Sequence, residues 1–132
     1  MKKLILLFIC SMVCLSFSSV ANAQSVYYCG KLSGYDTLEK PSFFGGLHKT
    51  HAEDNGCKYV IDGQKAIVSC SGLGTDECVT IGETDEKIDF VCPGSVASSV
   101  YTISKKENKV FYAKNGVLFG KGYQIIMTAD CK

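Results

Sequence analysis

The stretch CKYVIDGQKAIVSC, residues 57–70, decides the fold, because it holds two strand-like runs around one tight turn. Gly63-Gln64 suits a two-residue type II′ turn, which takes glycine at its first central position. Cys57 then lies opposite Cys70 in a non-hydrogen-bonded pair, with Cα atoms about 4.5 Å apart. A disulfide can bridge that distance. The alternative, a type I′ turn at Asp62-Gly63, shifts the register and takes the two cysteines out of opposition.

A second hairpin is predicted in the same way. A three-residue loop of Thr84-Asp85-Glu86 places Cys78 opposite Cys92. Two local pairs leave Cys29 to join Cys131, which ties the two ends of the domain together. Six cysteines allow several other connectivities, and turn geometry favours this one.

The remaining segments also indicate an all-β fold, because short runs rich in β-branched and aromatic residues alternate with Gly, Asn and Asp. Asn115-Gly116 predicts a third hairpin and a C-terminal meander. The expected architecture is a small disulfide-stabilised antiparallel sandwich or partly open barrel, with two layers favoured over a closed barrel for strands this short. The predicted strands are 26–32, 58–62, 65–70, 78–82, 87–92, 100–105, 110–114 and 117–128.

The N-terminus has the order of a cleaved signal peptide of bacterial style. Met1-Lys2-Lys3 precedes an apolar run over residues 4–15, and Ala21-Asn22-Ala23 is a small-residue cleavage site. The apolar run is too short to span about 30 Å of hydrocarbon as a helix. We therefore expect residues 1–23 to be removed, with no stable membrane insertion afterwards. Residues 24–132 are expected to form a single domain in the periplasm or outside the cell.

The cysteine content agrees with export. Removing Cys10 and Cys14 with the leader reduces eight cysteines to six, an even number that indicates a disulfide framework.

All 14 basic residues are lysines. Arginine is the usual side chain for contacts with phosphate and guanine, so its absence argues against sequence-specific nucleic-acid binding. We expect no nucleic-acid partner.

The segment from Ser33 to Gly56 lacks alternation and is predicted to be irregular. Long irregular segments in small domains commonly carry function. If its large apolar residues are exposed, they form a surface for a partner. The alternative is that they plug one open end of the β core, because such side chains are normally buried. The candidate binding residues are Phe43, Phe44, Leu47, His48 and His51.

The two histidines of this segment also suggest metal or catalytic chemistry. His48 and His51, with Asp54 close behind, are residue types that bind zinc or copper, so a Zn²⁺ or Cu²⁺ site is one hypothesis. Their spacing differs from the four-residue interval of a helical zinc protease. A small secreted hydrolase would use either histidine as a base, with Glu53 or Asp54 to orient it.

The function that the sequence favours is an exported, non-enzymatic interaction module that displays residues 33–56 to a protein or a cell-envelope component. A rigid, disulfide-linked scaffold lowers the ordering cost of binding. The small hydrolase and a metal-binding accessory protein are the two alternatives. Catalysis has little other support, because the sequence has neither a Gly-x-Ser-x-Gly nucleophile motif nor a Cys-x-x-Cys redox motif.

Overall fold

The computed structural model describes residues 23–37, 48–51, 55–94, 97–118 and 121–132, and at 48–51, 118 and 121 it describes the backbone alone. These ranges contain strands and turns but no helix, so the all-β prediction is confirmed. No described segment is a helix long and apolar enough to cross a membrane. The ten strands in these ranges are β1 (Ser25–Cys29), β2 (Ser33–Asp36), β3 (His48–His51), β4 (Cys57–Asp62), β5 (Lys65–Cys70), β6 (Gly74–Glu83), β7 (Lys87–Cys92), β8 (Ser99–Ser104), β9 (Lys109–Leu118) and β10 (Lys121–Asp130).

The strands form one antiparallel sheet in the order β1-β4-β5-β6-β7-β8-β9-β10-β2-β3. β1 pairs with β4, while β2, which follows it directly, pairs with β10 on one side and β3 on the other. At the end of β1, the amide of Lys132 donates to the carbonyl of Tyr28, and just after β1 the amide of Gly30 donates to the carbonyl of Asp130, both at 2.8 Å. The end of β10 therefore meets the end of β1, and the sheet curls on itself. Of the two predicted architectures, the partly open barrel is the one that forms.

The inner face of the curled sheet holds the core. Phe90 of β7 stacks on Tyr101 of β8 with ring centroids 5.0 Å apart, and the ring of Tyr59 lies 5.7 Å from that of Tyr101. Burying each large side chain stabilises the fold by about 1.5–3 kcal/mol. The largest fully buried side chains occupy alternate positions of β4, β7, β8 and β9; they are Tyr59, Ile88, Phe90, Ile103 and Val110.

Three disulfides cross-link the sheet, with the pairings that the hairpin registers predict. Cys57–Cys70 and Cys78–Cys92 each join neighbouring strands, with Cα atoms 4.1 and 4.2 Å apart. Cys29–Cys131 joins β1 to the residue after β10, with Cα atoms 3.9 Å apart. Because Cys29 lies opposite Cys57 in the pairing of β1 with β4, two of the disulfides stand side by side across the sheet.

The first hairpin has the predicted register and turn. Asp62 pairs with Lys65, and Cys57 pairs with Cys70. Gly63 has a φ of 58°, the positive value that a type II′ turn requires at its first central position. The alternative turn at Asp62-Gly63 is thereby excluded.

The second hairpin reaches its predicted cysteine pairing by another route. The amide of Thr84 donates to the carbonyl of Lys87 at 2.8 Å, so the turn has two central residues, and the predicted three-residue loop is wrong. A β-bulge between Thr80 and Gly82 adds one residue to β6 and compensates for the shorter turn. Cys78 therefore lies opposite Cys92, the same pairing that a three-residue loop would give.

The predicted third hairpin at Asn115-Gly116 is wrong. β9 runs through both residues, and Gly116 pairs with Tyr123 of β10. A Cβ atom on Gly116 would lie 2.7–2.8 Å from atoms of the Tyr123 ring. The glycine therefore allows an aromatic ring to pack closely against the backbone and does not form a turn. The resulting ten-residue strands β6, β9 and β10 are longer than the strands for which two layers were favoured.

The predicted irregular segment from Ser33 to Gly56 also contains regular structure. Residues Ser33–Asp36 form β2 and residues His48–His51 form β3. These two strands pair with each other and extend the sheet beyond β10. Alternation is hidden in so short a strand as Ser33–Asp36, because it contains a glycine and only one large apolar residue. Residues 38–47 and 52–54 lie outside the described residues.

Candidate functional site

The outer face of the sheet carries a transverse row of apolar side chains. The strand registers place one apolar residue on each of six adjacent strands, β2, β10, β9, β8, β7 and β6. Large apolar residues on the solvent side of several neighbouring strands indicate a binding surface more strongly than a single exposed side chain does. We call this set the outer apolar row; its members are Tyr35, Ile126, Ala113, Val100, Val91 and Val79.

At one end of the row, β2, β10 and β9 form a groove of about 520 Å³. Its prominent side chains are Ile126, Tyr35 and Phe111, with exposed fractions of 61%, 48% and 41%. Two hydroxyl residues, Ser33 and Thr128, contribute its polar groups, and none of the described lining residues is charged. We call it the apolar groove. Such a site suits a ligand with an apolar surface and a few hydrogen-bonding groups.

The groove depends on the close approach of β2 to β10. A Cβ atom on Gly34 would collide with the carbonyl oxygen of Ile126 and would lie 2.7 Å from the Cα atom of Met127. At the end of β2, the amide of Thr37 donates to the carbonyl of Gln124 at 3.0 Å, and the amide of Gln124 donates to the Thr37 hydroxyl at 2.9 Å. The glycine and this pair of hydrogen bonds hold Tyr35 beside Ile126.

A polar cluster lies on the outer face of β7 and β8. The Asp89 carboxylate accepts hydrogen bonds from the Lys87 ammonium and the Thr102 hydroxyl, both at 2.6 Å. Burial of the carboxyl raises the pKa of Asp89, but the two hydrogen bonds outweigh it and bring the pKa below its ordinary value of 3.8. The contact with Thr102 joins β8 to β7, whereas the contact with Lys87 lies within β7.

A second ion pair joins two turns at the rim of the sheet. The Lys105 ammonium donates to the Glu83 carboxylate and to the carbonyl of Thr84, both at 2.8 Å. The hydrogen bond to Glu83 raises the pKa of Lys105. Because the side chains of this pair are partly exposed to water, we expect it to add little to the stability.

The structure describes only part of the predicted binding segment. Phe43, Phe44 and Leu47, together with Glu53 and Asp54, lie outside the described residues. His48 and His51 lie at opposite ends of β3, in register with Asp36 and Ser33, so their Cα atoms are about 10 Å apart. Their side chains are not described.

The metal and hydrolase hypotheses remain predictions. Among the residues whose side chains are described, no three of the types His, Cys, Asp and Glu lie close enough together to hold a metal ion. The hypothesised Zn²⁺ or Cu²⁺ ligands, His48, His51 and Asp54, are not among those residues. The same holds for the proposed catalytic pairs.

Sequence reasoning missed the apolar groove because its walls are distant in the chain. Ser33, Gly34 and Tyr35 come from the predicted binding segment, whereas Phe111 and Ile126 come from β9 and β10. One signal was available: Ile125-Ile126-Met127 puts apolar residues on both faces of a strand, and one of those faces must lie outside the core.

Known proteins give no further guide to the site. The chain matches no protein-family model, and no curated protein or solved structure is significantly similar to it. The function therefore has to be inferred from the residues themselves.

Proposed function

We propose that this protein is an exported, non-enzymatic binding module whose apolar groove receives apolar side chains of a partner protein. The observation that carries the proposal is the exposure of Tyr35, Phe111 and Ile126 together around one uncharged groove. An apolar patch of this kind on a small domain favours association, because its burial removes apolar surface from water.

The surroundings of the groove favour a protein as the partner. The outer apolar row continues from the groove across β9, β8, β7 and β6, which is more surface than a small ligand covers. The described lining residues offer no charge for a phosphate group or a carboxylate. A central aromatic and aliphatic patch with a polar rim is the usual anatomy of a protein interface.

The scaffold contributes rigidity. Three disulfides join the sheet, one of them across 102 residues of sequence, so little order has to be gained on binding. Disulfides also indicate an oxidising environment outside the cytoplasm. Together with the predicted signal peptide, this supports the periplasm or the extracellular space as the location.

The test uses the oxidised protein, immobilised and exposed to envelope and culture extracts. Ile126→Asp places a charge in the apolar groove. Val117→Asp places the same charge at an equally exposed aliphatic residue of β9, outside the groove lining and the outer apolar row, and serves as the matched control. We expect the wild type and the control to retain the same partner protein, and Ile126→Asp to bind it about 30-fold or more weakly, as for a hot-spot residue. Equal thermal stability of the variants shows that folding is intact.

Two results would contradict the proposal. One is that Ile126→Asp retains the same proteins as the wild type with the same affinity. The other is that the wild type alone sediments as a dimer that Ile126→Asp dissociates, which would assign the groove to a second copy of the chain.

A further inference from the structure

A second groove lies on the outer face, at the end of the sheet where the two neighbouring disulfides stand. It has a volume of about 640 Å³, within the usual range for small-molecule sites. One wall is a transverse row in which Tyr28 pairs with Lys58, Lys58 with Ser69, and Ser69 with Thr75. We call this site the Tyr28 groove.

The residues that line the Tyr28 groove include three glycines, Gly56, Gly72 and Gly74. A Cβ atom on Gly56 would lie 2.6 Å from the carbonyl oxygen of Cys29, so a larger residue cannot be accommodated there without a shift. Cys29, Cys57 and Cys70 also line the groove, so the disulfides Cys29–Cys131 and Cys57–Cys70 cross-link the strands that carry it.

The wall combines one aromatic ring with several hydrogen-bonding groups. Tyr28 has an exposed fraction of 58%, and the Lys58 ammonium lies over one face of its ring, 5.8 Å from the ring centre. The hydroxyls of Ser69 and Thr75 are hydrogen-bonded to each other at 3.0 Å. Each hydroxyl keeps further capacity to donate or accept. Asn55 and Ser71 add an amide and a hydroxyl to the lining.

From this arrangement we infer that the Tyr28 groove binds a saccharide chain. A pyranose ring has an apolar face of C–H groups and a rim of hydroxyls, so it requires a flat apolar surface bordered by donors and acceptors. The Tyr28 ring supplies the surface, and Lys58, Ser69 and Thr75 supply the border. The groove is shallow and open, and its residues span the four neighbouring strands β1, β4, β5 and β6, which suits a chain of sugar units.

Lys58 gives the described lining of the Tyr28 groove a positive charge. None of the described residues that line the Tyr28 groove is acidic, and Lys58 is the one charged side chain among them. The ammonium group favours glycans that carry a carboxylate over neutral ones, because an ionised acceptor forms the stronger hydrogen bond.

The experiment probes the oxidised protein on a glycan array that carries neutral and uronic-acid oligosaccharides, followed by NMR titration of any glycan that binds. Tyr28→Ala is expected to weaken binding about tenfold by removing the stacking surface. Tyr28→Phe keeps the ring and is expected to bind as the wild type. Val117→Ala shortens an exposed apolar side chain of β9 that is not among the lining residues of either groove. It is the matched control, with no expected effect on glycan binding.

Lys58→Met separates the role of charge from that of the ring. We expect it to weaken binding of uronic-acid oligosaccharides and to leave binding of neutral ones unchanged. In the NMR titrations, we expect the glycan to shift only the amide signals of residues in the Tyr28 groove. The inference is overturned if no glycan binds, or if Tyr28→Ala binds as tightly as the wild type. Ile126→Asp changes the apolar groove and leaves the Tyr28 groove intact, so we expect this variant to bind glycans as the wild type does. The glycan proposal and the proposed protein site can therefore fail independently.

Discussion

The two neighbouring disulfides allow a direct test of whether the length of the enclosed chain controls how much a disulfide stabilises the fold. Cys29–Cys131 and Cys57–Cys70 have similar geometry, with Cα separations of 3.9 and 4.1 Å, and each contains one buried and one partly buried cysteine. They differ in the length of chain that they enclose, with sequence separations of 102 and 13. Replacing both cysteines of one pair by alanine removes one loop constraint and nearly the same packing in each case.

The expected magnitudes follow from the entropy that each disulfide removes from the unfolded chain. For a sequence separation of 102, the chain-entropy model predicts a loss of about 4.7 kcal/mol at 25 °C. For a separation of 13, it predicts about 3 kcal/mol. The two double variants therefore differ by about 1.7 kcal/mol, because cavity and packing contributions largely cancel between the two pairs.

The assay is equilibrium unfolding in urea, with the free energy of unfolding extrapolated to water for the wild type and both double variants. We expect the Cys29→Ala/Cys131→Ala protein to be less stable than the Cys57→Ala/Cys70→Ala protein by about 1.7 kcal/mol. Equal losses, or a larger loss for the Cys57–Cys70 pair, would show that local strain or packing controls the contribution of these bonds and would refute the loop argument.

Three other substitutions test particular contacts. Gly34→Ala should cost about 1–3 kcal/mol, because its Cβ would collide with the Ile126 carbonyl oxygen, and an unchanged unfolding free energy would contradict the close approach. Gly116→Val should cost a similar amount by displacing the Tyr123 ring, and adding Tyr123→Ala should recover part of the loss in a double-mutant cycle. Because the folded-state pKa of Asp89 is below its ordinary value of 3.8, the ionised carboxylate stabilises the fold at pH values above 3.8. This contribution is lost as the pH falls through the folded-state pKa. Acid titration of stability should therefore be shallower for Asp89→Asn; identical titration curves would refute the assignment.

The hairpin of residues 57–70 shows how far local rules reach. Its register follows from a two-residue turn with glycine at the position that takes a positive φ, and the cysteine pairing follows from the register. The second hairpin is less determined by its sequence. Its cysteines pair as predicted only because a bulge near Ile81 compensates for a turn one residue shorter than expected. Bulges depend on how a strand packs against its neighbours, which turn rules do not include.

Asn115-Gly116 shows where the same rules fail. The pair has the strongest turn signal in the chain, yet Gly116 lies within a strand because the Tyr123 ring packs against it from the next strand. A turn preference is worth little against a complete strand pairing and a packed aromatic ring. Glycine permits both outcomes, so its presence alone cannot distinguish them.

The all-β fold and the three disulfide pairings could be predicted from the sequence, because alternation and hairpin turns are local patterns. Export, which the order of the N-terminal residues indicates, stays a prediction. The two grooves could not be predicted, because each is assembled by strand pairing between distant parts of the chain. Tyr35 meets Ile126 across 91 positions of sequence, and Tyr28 meets Lys58 across 30. Which outward side chains become neighbours depends on the register of the whole sheet and on its curl, and those are properties of the tertiary structure.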